Sequence, residues 1–246
     1  MPVGTYPHEV EETVGEFMKK LLIIIPAYNE EKSIEKVVEH IIHKYAQYDY
    51  VVVNDGSEDK TAEICYKNRF QILDLPVHLG LSGAFQTGIK YAYQRGYQYA
   101  VQFDGDGQHR AEFLADMLEK MEEGYDIAIG SRFVQKKKDF SLRMIGSRII
   151  TASIRIATKV KIADPTSGMR MFSKRMIEEF TKNINLDPEP DTISYLMKNG
   201  AKVVEVPVTM DERQVGTSYL SRMASVKYMI RMLVSILLLH NFRNRG

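Results

Sequence analysis

The sequence predicts an α/β chain whose sheet is doubly wound and mostly parallel, with helices on both faces and an amphipathic helix at the carboxyl end. Three observations carry this. Short apolar runs recur at strand length: Leu21-Leu22-Ile23-Ile24-Ile25, Tyr50-Val51-Val52-Val53, Tyr97 to Phe103 and Asp126-Ile127-Ala128-Ile129-Gly130. The first two are apolar at every position, as strands buried beneath helices on both faces are. The runs end abruptly in polar residues, and helical spacing follows, with Ile34, Val37, Val38, Ile41 and Ile42 forming one stripe. Alternation of this kind places the polar loops on one edge of the sheet, where open α/β sheets bind ligands.

In chain order, strand one closes at Pro26 and gives way to the loop Ala27-Tyr28-Asn29-Glu30. Strand two runs into Asn54-Asp55-Gly56-Ser57, and Asp59 and Thr61 open the next helix. The third run meets Asp104-Gly105-Asp106-Gly107-Gln108-His109. Alternate spacing turns Asp104 and Asp106 to one side of an extended segment, and the glycines let the backbone bend close to a ligand. Two hard oxygen donors suit Mg2+ or Mn2+ shared with substrate phosphates, with Gln108 or His109 as a third ligand. Alone, Asp-Gly is an ordinary turn signal. A calcium EF-hand loop is excluded, because His109 stands where its glycine belongs and Ala115 where its glutamate belongs.

A helix around Phe113, Met117 and Leu118 precedes the Asp126–Gly130 strand, which ends at Ser131-Arg132. The stretch holding Lys136, Lys137, Lys138, Arg143, Arg148 and Arg155 reads as basic and mobile. Asp164-Pro165-Thr166-Ser167-Gly168 is a turn-rich loop before a strand from Met169 to Phe172, and Asp187-Pro188-Glu189-Pro190-Asp191 opens a helix that stops at Asn199-Gly200. From Tyr219 to Phe242 the spacing is helical, but its apolar core from Met232 to Leu239 is far short of the ~20 residues that cross a bilayer. Such a helix lies at a membrane interface or packs on the body or on a second subunit.

With 246 residues, 44% of them hydrophobic, the chain can bury a large core. The division expected is an amino-terminal extension at 1–19, one domain at 20–218, and a helix with a basic tail at 219–246. Lys and Arg total 33 against 32 acidic residues, so no global field argues for nucleic acid. The single Cys65 excludes an intrachain disulfide and fits a reducing, cytoplasmic setting. The acidic amino terminus lacks the order of a secretory signal. Gly80-Leu81-Ser82-Gly83 has no following Gly-Lys-Ser/Thr, and no dinucleotide glycine triplet follows strand one. A bound diphosphate must therefore be neutralised by metal.

Taken together, Pro26-Ala27-Tyr28-Asn29-Glu30, Asn54-Asp55-Gly56-Ser57-x-Asp59-x-Thr61, Leu79-Gly80-Leu81-Ser82-Gly83-Ala84, Asp104-Gly105-Asp106-Gly107-Gln108-His109, Gly130-Ser131-Arg132-Phe133, Thr166-Ser167-Gly168-Met169-Arg170 and Arg213-x-x-Gly216-x-Ser218 resemble the inverting glycosyltransferases of family two, with the GT-A fold. Within that family the chain looks most similar to dolichyl-phosphate mannose synthase-like and bacterial polyprenyl-phosphate enzymes. The resemblance implies that Pro26, Tyr28 and Glu30 flank a nucleoside. Asp55 accepts the imide proton of the base, although Asn54 departs from the usual Asp-Asp-Gly-Ser and leaves open which of the two reads it. Asp104, Asp106 and Gln108 hold a divalent metal and the diphosphate, with Asp104 also contacting the nucleotide. His109 joins that metal or caps the next helix.

The resemblance further implies that Arg132, Arg148, Ser167, Arg213 and Ser218 receive the acceptor, with Arg132 and Arg213 acting in catalysis beside Asp104 and Asp106. Glu189 and Asp191 stand where many members keep a general base, which a sugar hydroxyl needs and an ionised phosphate does not. The expected function is transfer of a sugar from a nucleotide donor, read as UDP-linked, to a polyprenyl phosphate at the inner face of the cell membrane, for cell-envelope glycan synthesis. Partners would include the lipid, a membrane surface or membrane protein, and a second subunit. Alternatives are transfer to a sugar hydroxyl and a nucleotide-sugar binding protein without turnover.

Overall fold

A computed structural model of the chain describes residues 20–134, 142–211 and 222–238. Its sheet has seven strands in the order β3-β2-β1-β4-β6-β5-β7. The strand at the heart of one half, β1 (Leu21–Ala27), pairs in parallel with β2 (Asp49–Asn54) and β4 (Tyr99–Gln102), and β3 (Ile72–Asp74) lies outside β2. The other half reverses once: β6 (Arg170–Ser173) runs antiparallel to both β4 and β5 (Ile127–Ser131), while β7 (Val203–Pro207) is parallel to β5. Between the strands come α1 (Ile34–Lys44), α2 (Thr61–Lys67), α3 (Gly80–Gln94), α4 (Leu114–Glu122), α5 (Leu142–Thr158), α6 (Lys174–Lys182) and α7 (Pro190–Lys198), and α8 (Arg222–Leu237) follows β7.

Both faces of β1 are buried, which is why every one of its first five residues is apolar. Leu22 and Ile24 face a core completed by Phe85 and Ile89 of α3, Ile150 and Ile154 of α5, Phe180 of α6, Ile193 of α7, and Met232 and Ile236 of α8. Leu21, Ile23 and Ile25 face the opposite core, with Ile34, Val38 and Ile41 of α1 and Leu114 and Met117 of α4. Phe85, Phe172 and Phe180 pack as a tilted trio with centroids 5.2–5.4 Å apart. Cys65 is buried on α2, and burial pushes its thiol up to about 11, as befits a packing residue.

Several sequence expectations shift. Strand one does not end at Pro26 but at Ala27, with Pro26 opposite Val53. Pairing with β4 has ended by then, at Ile24 opposite Gln102, so only one neighbour runs beside the proline and its missing N–H is tolerated. The stretch read as mobile is, from Leu142 to Thr158, a 17-residue helix. Met144, Ile150 and Ile154 are its buried stripe, with Ser147 and Ser153 buried between them. Lys136, Lys137 and Lys138 lie outside the described residues, as do residues 1–19.

The described part of the carboxyl-terminal helix, α8, packs on the body. It lies against α5 and α7 and puts Met232 and Ile236 into the core. Its outer side also carries apolar residues, Ile230, Val234 and Leu237, so its two sides are not divided into apolar and polar faces. Among the described residues, no helix is long and apolar enough to cross a membrane.

Candidate active site

The tips of β1 and β2 are laced together. Asn29, at φ +57°, accepts the Glu58 N–H on its side-chain oxygen at 2.9 Å and donates its own N–H to Ser57 Oγ at 3.0 Å. Asp59 accepts from the N–H groups of Glu31 and Thr61 at 3.0 and 2.9 Å, and the Glu30 N–H donates to Thr61 Oγ1 at 2.8 Å. Ser33 donates to Glu30 Oε2 at 2.7 Å. These bonds fix two loops whose backbone groups no strand can satisfy.

Asn54 and Asp55 sit side by side yet do different work. Asn54 Nδ2 donates to Asp74 Oδ1 at 2.7 Å and its oxygen accepts from Ser57, so its amide is spent tying β3 and the loop to β2. Asp55 is buried, with Oδ1 accepting the Leu79 N–H at 2.7 Å and Oδ2 lying 2.9 Å from His78 Nδ1. His78 in turn stacks on Tyr28, with centroids 3.9 Å apart and planes 30° from parallel. Gly56, at φ +63°, permits this: a Cβ there would stand 2.6 Å from the Val77 carbonyl carbon.

Beyond β4, Asp104 and Asp106 are unequally placed. The Asp104 side chain is one-third exposed, whereas Asp106 is buried and accepts the Gln108 N–H on Oδ1 at 3.0 Å. His109 does not cap the next helix, whose first residue, Ala111, follows Arg110 as cap. Instead its Nδ1 accepts the Asp104 N–H at 2.8 Å, and its Nε2 lies 3.3 Å from Asp104 Oδ2. The imidazole thus braces the carboxylate from the buried side. The loop is also held to the segment after β7, where the Asp211 N–H donates to the Gln108 carbonyl at 3.0 Å.

Arg132, just past β5, forks onto Asp164, with Nε to Oδ2 at 2.7 Å and Nη2 to Oδ1 at 2.9 Å. Asp164 is fully buried and its own N–H, with that of Ala163, donates to Glu205 of β7, each at 2.7 Å. The relay Glu205, Asp164, Arg132 therefore spans β7, the 163–168 loop and β5. Ser131 and Ser167 are buried, and their hydroxyls have no hydrogen-bond partner among the described residues. Arg170, at the start of β6, is fully buried and donates to the carbonyls of Pro165 and Pro188, pinning two loops at once. Burial pulls its pKa below the usual arginine value, against the opposing pull of Glu189.

Glu189 and Asp191 are both covered by α8. Tyr228 donates its hydroxyl to Glu189 Oε2 at 2.5 Å, Arg231 lies 3.7 Å from the other oxygen, and Ser235 donates to Asp191 Oδ2 at 2.5 Å. Burial raises the Glu189 pKa above the ordinary carboxylate value, only partly countered by the Tyr228 hydroxyl and by Arg170 and Arg231. Arg148 is half-buried on α5, while Arg213 and Ser218 lie outside the described residues.

The family model for glycosyl transferase family 2 matches residues 22–181. The chain belongs to this family. Among relatives, it is 30% identical over 235 residues to polyprenol monophosphomannose synthase of Mycolicibacterium smegmatis, covering 87% of this chain and 88% of that one. It is 32% identical over 224 residues to dolichol-phosphate mannosyltransferase of Pyrococcus furiosus, covering 85% of this chain and 62% of that one. Among solved structures, glucosyl-3-phosphoglycerate synthase of Mycobacterium tuberculosis, in complex with Mn2+, UDP-glucose and phosphoglyceric acid, superposes with TM-score 0.66 at 17% identity, covering 97% of this chain and 87% of that one. A mannosyltransferase of Pyrobaculum calidifontis, in complex with GDP-mannose and Mn2+, gives TM-score 0.61 at 16% identity, covering 92% and 65%. The fold is GT-A, and the protein is a glycosyltransferase.

Asp104 and Asp106 offer two hard oxygen donors, a type that suits a divalent cation. A Cβ at Gly168 would stand 3.1 Å from Asp104 Oδ2 and 3.5 Å from His109 Cε1, so the glycine keeps open the space beside that oxygen. Among the described residues no three His, Cys, Asp or Glu side chains form a ready-made metal cage. Sequence reasoning missed His78 and Tyr228 and gave no partners to Asp164 and Glu205, since each acts through a partner at least 23 residues away.

Proposed function

We propose that this glycosyltransferase moves a sugar with inversion from a UDP-sugar to a polyprenyl phosphate, serving cell-envelope glycan synthesis at the inner face of the membrane. The observation that carries the acceptor is the half-burial of Glu189 and the burial of Asp191 beneath α8, where Tyr228 and Ser235 occupy one oxygen of each. A sugar hydroxyl needs a base within reach of its proton, and these two carboxylates face a helix instead. An acceptor phosphate brings its own anionic oxygen and needs a cation to receive it. Arg132 is such a group, held in a fixed orientation by Asp164. The names of the relatives point the same way.

In this reading Tyr28 and Asp55 take the base, Asp55 accepting an imide proton that uracil carries and cytosine and adenine lack on the matching edge. Asp104, Asp106 and Gln108 would hold Mg2+ or Mn2+, which supplies charge neutralisation for the departing diphosphate. His109 keeps Asp104 turned toward that site. Arg132, with Arg148, Ser167, Arg213 and Ser218, receives the acceptor phosphate, and one displacement at the anomeric carbon gives the lipid-phosphate sugar. Positioning and charge stabilisation supply most of the rate gain. Exposed Ile145 and Ile149 on α5 and Ile230 and Val234 on α8 support a peripheral position at the lipid surface.

A panel of UDP- and GDP-sugars with undecaprenyl phosphate and Mn2+ or Mg2+, scored for labelled lipid product, tests this. Product from a UDP-sugar is expected. Product formed only on a saccharide hydroxyl would overturn the acceptor. Asp106→Ala should lower turnover by more than about 10³-fold, the scale of losing preorganised charge stabilisation, and should abolish metal-dependent UDP binding.

A further inference from the structure

His78 occupies the place in which the donor reading puts the nucleobase. Its ring lies face to face with Tyr28, centroids 3.9 Å apart. A base cannot enter between them, because a single intervening aromatic layer, with a contact of about 3.5 Å on each side, needs the rings about 7 Å apart. Its Nδ1 faces two oxygens, Asp55 Oδ2 at 2.9 Å and the Asp55 carbonyl at 3.2 Å. Both are acceptors, so Nδ1 carries the hydrogen. Asp55 Oδ1 is already held by the Leu79 N–H, which leaves Oδ2 as the oxygen His78 covers.

We propose that His78 is a resident stand-in for the base: its imidazole makes the stack on Tyr28 and the N–H donation to Asp55 that a uracil ring would make, and donor binding requires it to swing out. This rests on the assignment of Tyr28 and Asp55 to the base. The backbone at Val77 and His78 lies close against Gly56, and the next N–H, that of Leu79, is held by Asp55 Oδ1 at 2.7 Å, so the motion required is one of the side chain. The side chain is half exposed and has solvent to move into. His78 is a positioning residue that keeps Asp55 and Tyr28 in their bound geometry while the seat is vacant. It spares a buried carboxylate oxygen from losing its partner, and the donor competes with it.

Competition gives the test its sign. If the seat is vacant in about one molecule in ten, apparent affinity is reduced about tenfold, and removing the stand-in restores it. Calorimetric titration of the full chain with UDP and Mn2+ should therefore show His78→Ala binding about tenfold tighter than wild type, with the donor KM falling in proportion. His78→Phe, which keeps the stack without the N–H, should fall between. A general loss of packing does not tighten binding. In proton spectra of the wild type, the His78 ring resonances should lose the upfield shift from Tyr28 as UDP saturates. Unchanged or weaker UDP binding by His78→Ala, or a larger upfield shift on saturation, would mean that His78 walls the base in, and the proposal fails. The companions Tyr28→Ala and Asp55→Ala separate this from a misplaced donor site: if neither weakens UDP binding, the base lies elsewhere and both readings fall.

Discussion

In the half of the sheet made by β1, β2, β3 and β4, strands run parallel and each delivers its polar tip directly to the rim, where loops close over short hydrogen bonds such as Asn29 to Glu58 and Asp55 to Leu79. The half made by β5, β6 and β7 works differently. β6 reverses, and the polar groups are buried or half-buried and reach across elements, with Arg132 on Asp164, Asp164 on Glu205, Arg170 on two prolyl carbonyls, and Glu189 under α8. One half displays its groups and the other braces them. The difference follows from topology, because a parallel strand ends at the ligand edge while an antiparallel one begins there. Arg170, at the first residue of β6, therefore supports the loops before and after it.

The buried fork is the sharpest way to break the braced half. Arg132→Ala leaves Asp164 fully buried without its cation, and loss of one partner of a buried pair costs about 3–5 kcal/mol. Urea denaturation should show a drop of that size, together with loss of activity. Asp164→Asn with Arg132→Met, which removes both charges, should recover part of the stability and none of the activity. A change of under about 1 kcal/mol in Arg132→Ala, as expected of an exposed pair, would place the fork among surface contacts and erase the contrast between the halves.

At the seam between the halves, Gly168 from the braced side touches Asp104 from the displayed side. Gly168→Ala must move the Asp104 carboxylate by a few tenths of an ångström or displace the loop. The expected result is a rise of about tenfold in the Mn2+ concentration needed for half-activation, a modest share of the ~10²-fold that a 1 Å misplacement can cost. The melting temperature should move little. Unaltered metal dependence would separate the 163–168 loop from the metal site.

The displayed half was the legible one. Leu21–Ile25 and Tyr50–Val53 announce themselves because burial on both faces demands apolar residues throughout, and their tips are adjacent in sequence to the strands. Asp164 read as a turn former because its partner lies 32 residues back. α5 was hidden for another reason: its buried stripe includes Ser147 and Ser153 and its surface carries Arg148 and Arg155, so composition suggested a solvated segment. His78 carried no sequence signal, because Tyr28 and Asp55 reach it only in the folded chain.

Glu189 gives the smallest effect and the finest distinction. Burial raises its pKa, so the folded state holds the proton more tightly than the unfolded chain does. Between the unfolded value, ~4.3 for a glutamate, and the higher folded value, the native state binds more protons, and stability must fall as pH rises through that window. Glu189→Gln carries no such proton and keeps a partner for the Tyr228 hydroxyl. Its urea midpoint, followed from about pH 4 to pH 8, should therefore decline less than that of the wild type. Turnover on a polyprenyl phosphate should stay well short of the roughly 10²- to 10⁴-fold loss that follows removal of a general base. A loss on that scale, with the fold intact, would make Glu189 a base despite its cover, and would move the acceptor from a phosphate to a hydroxyl.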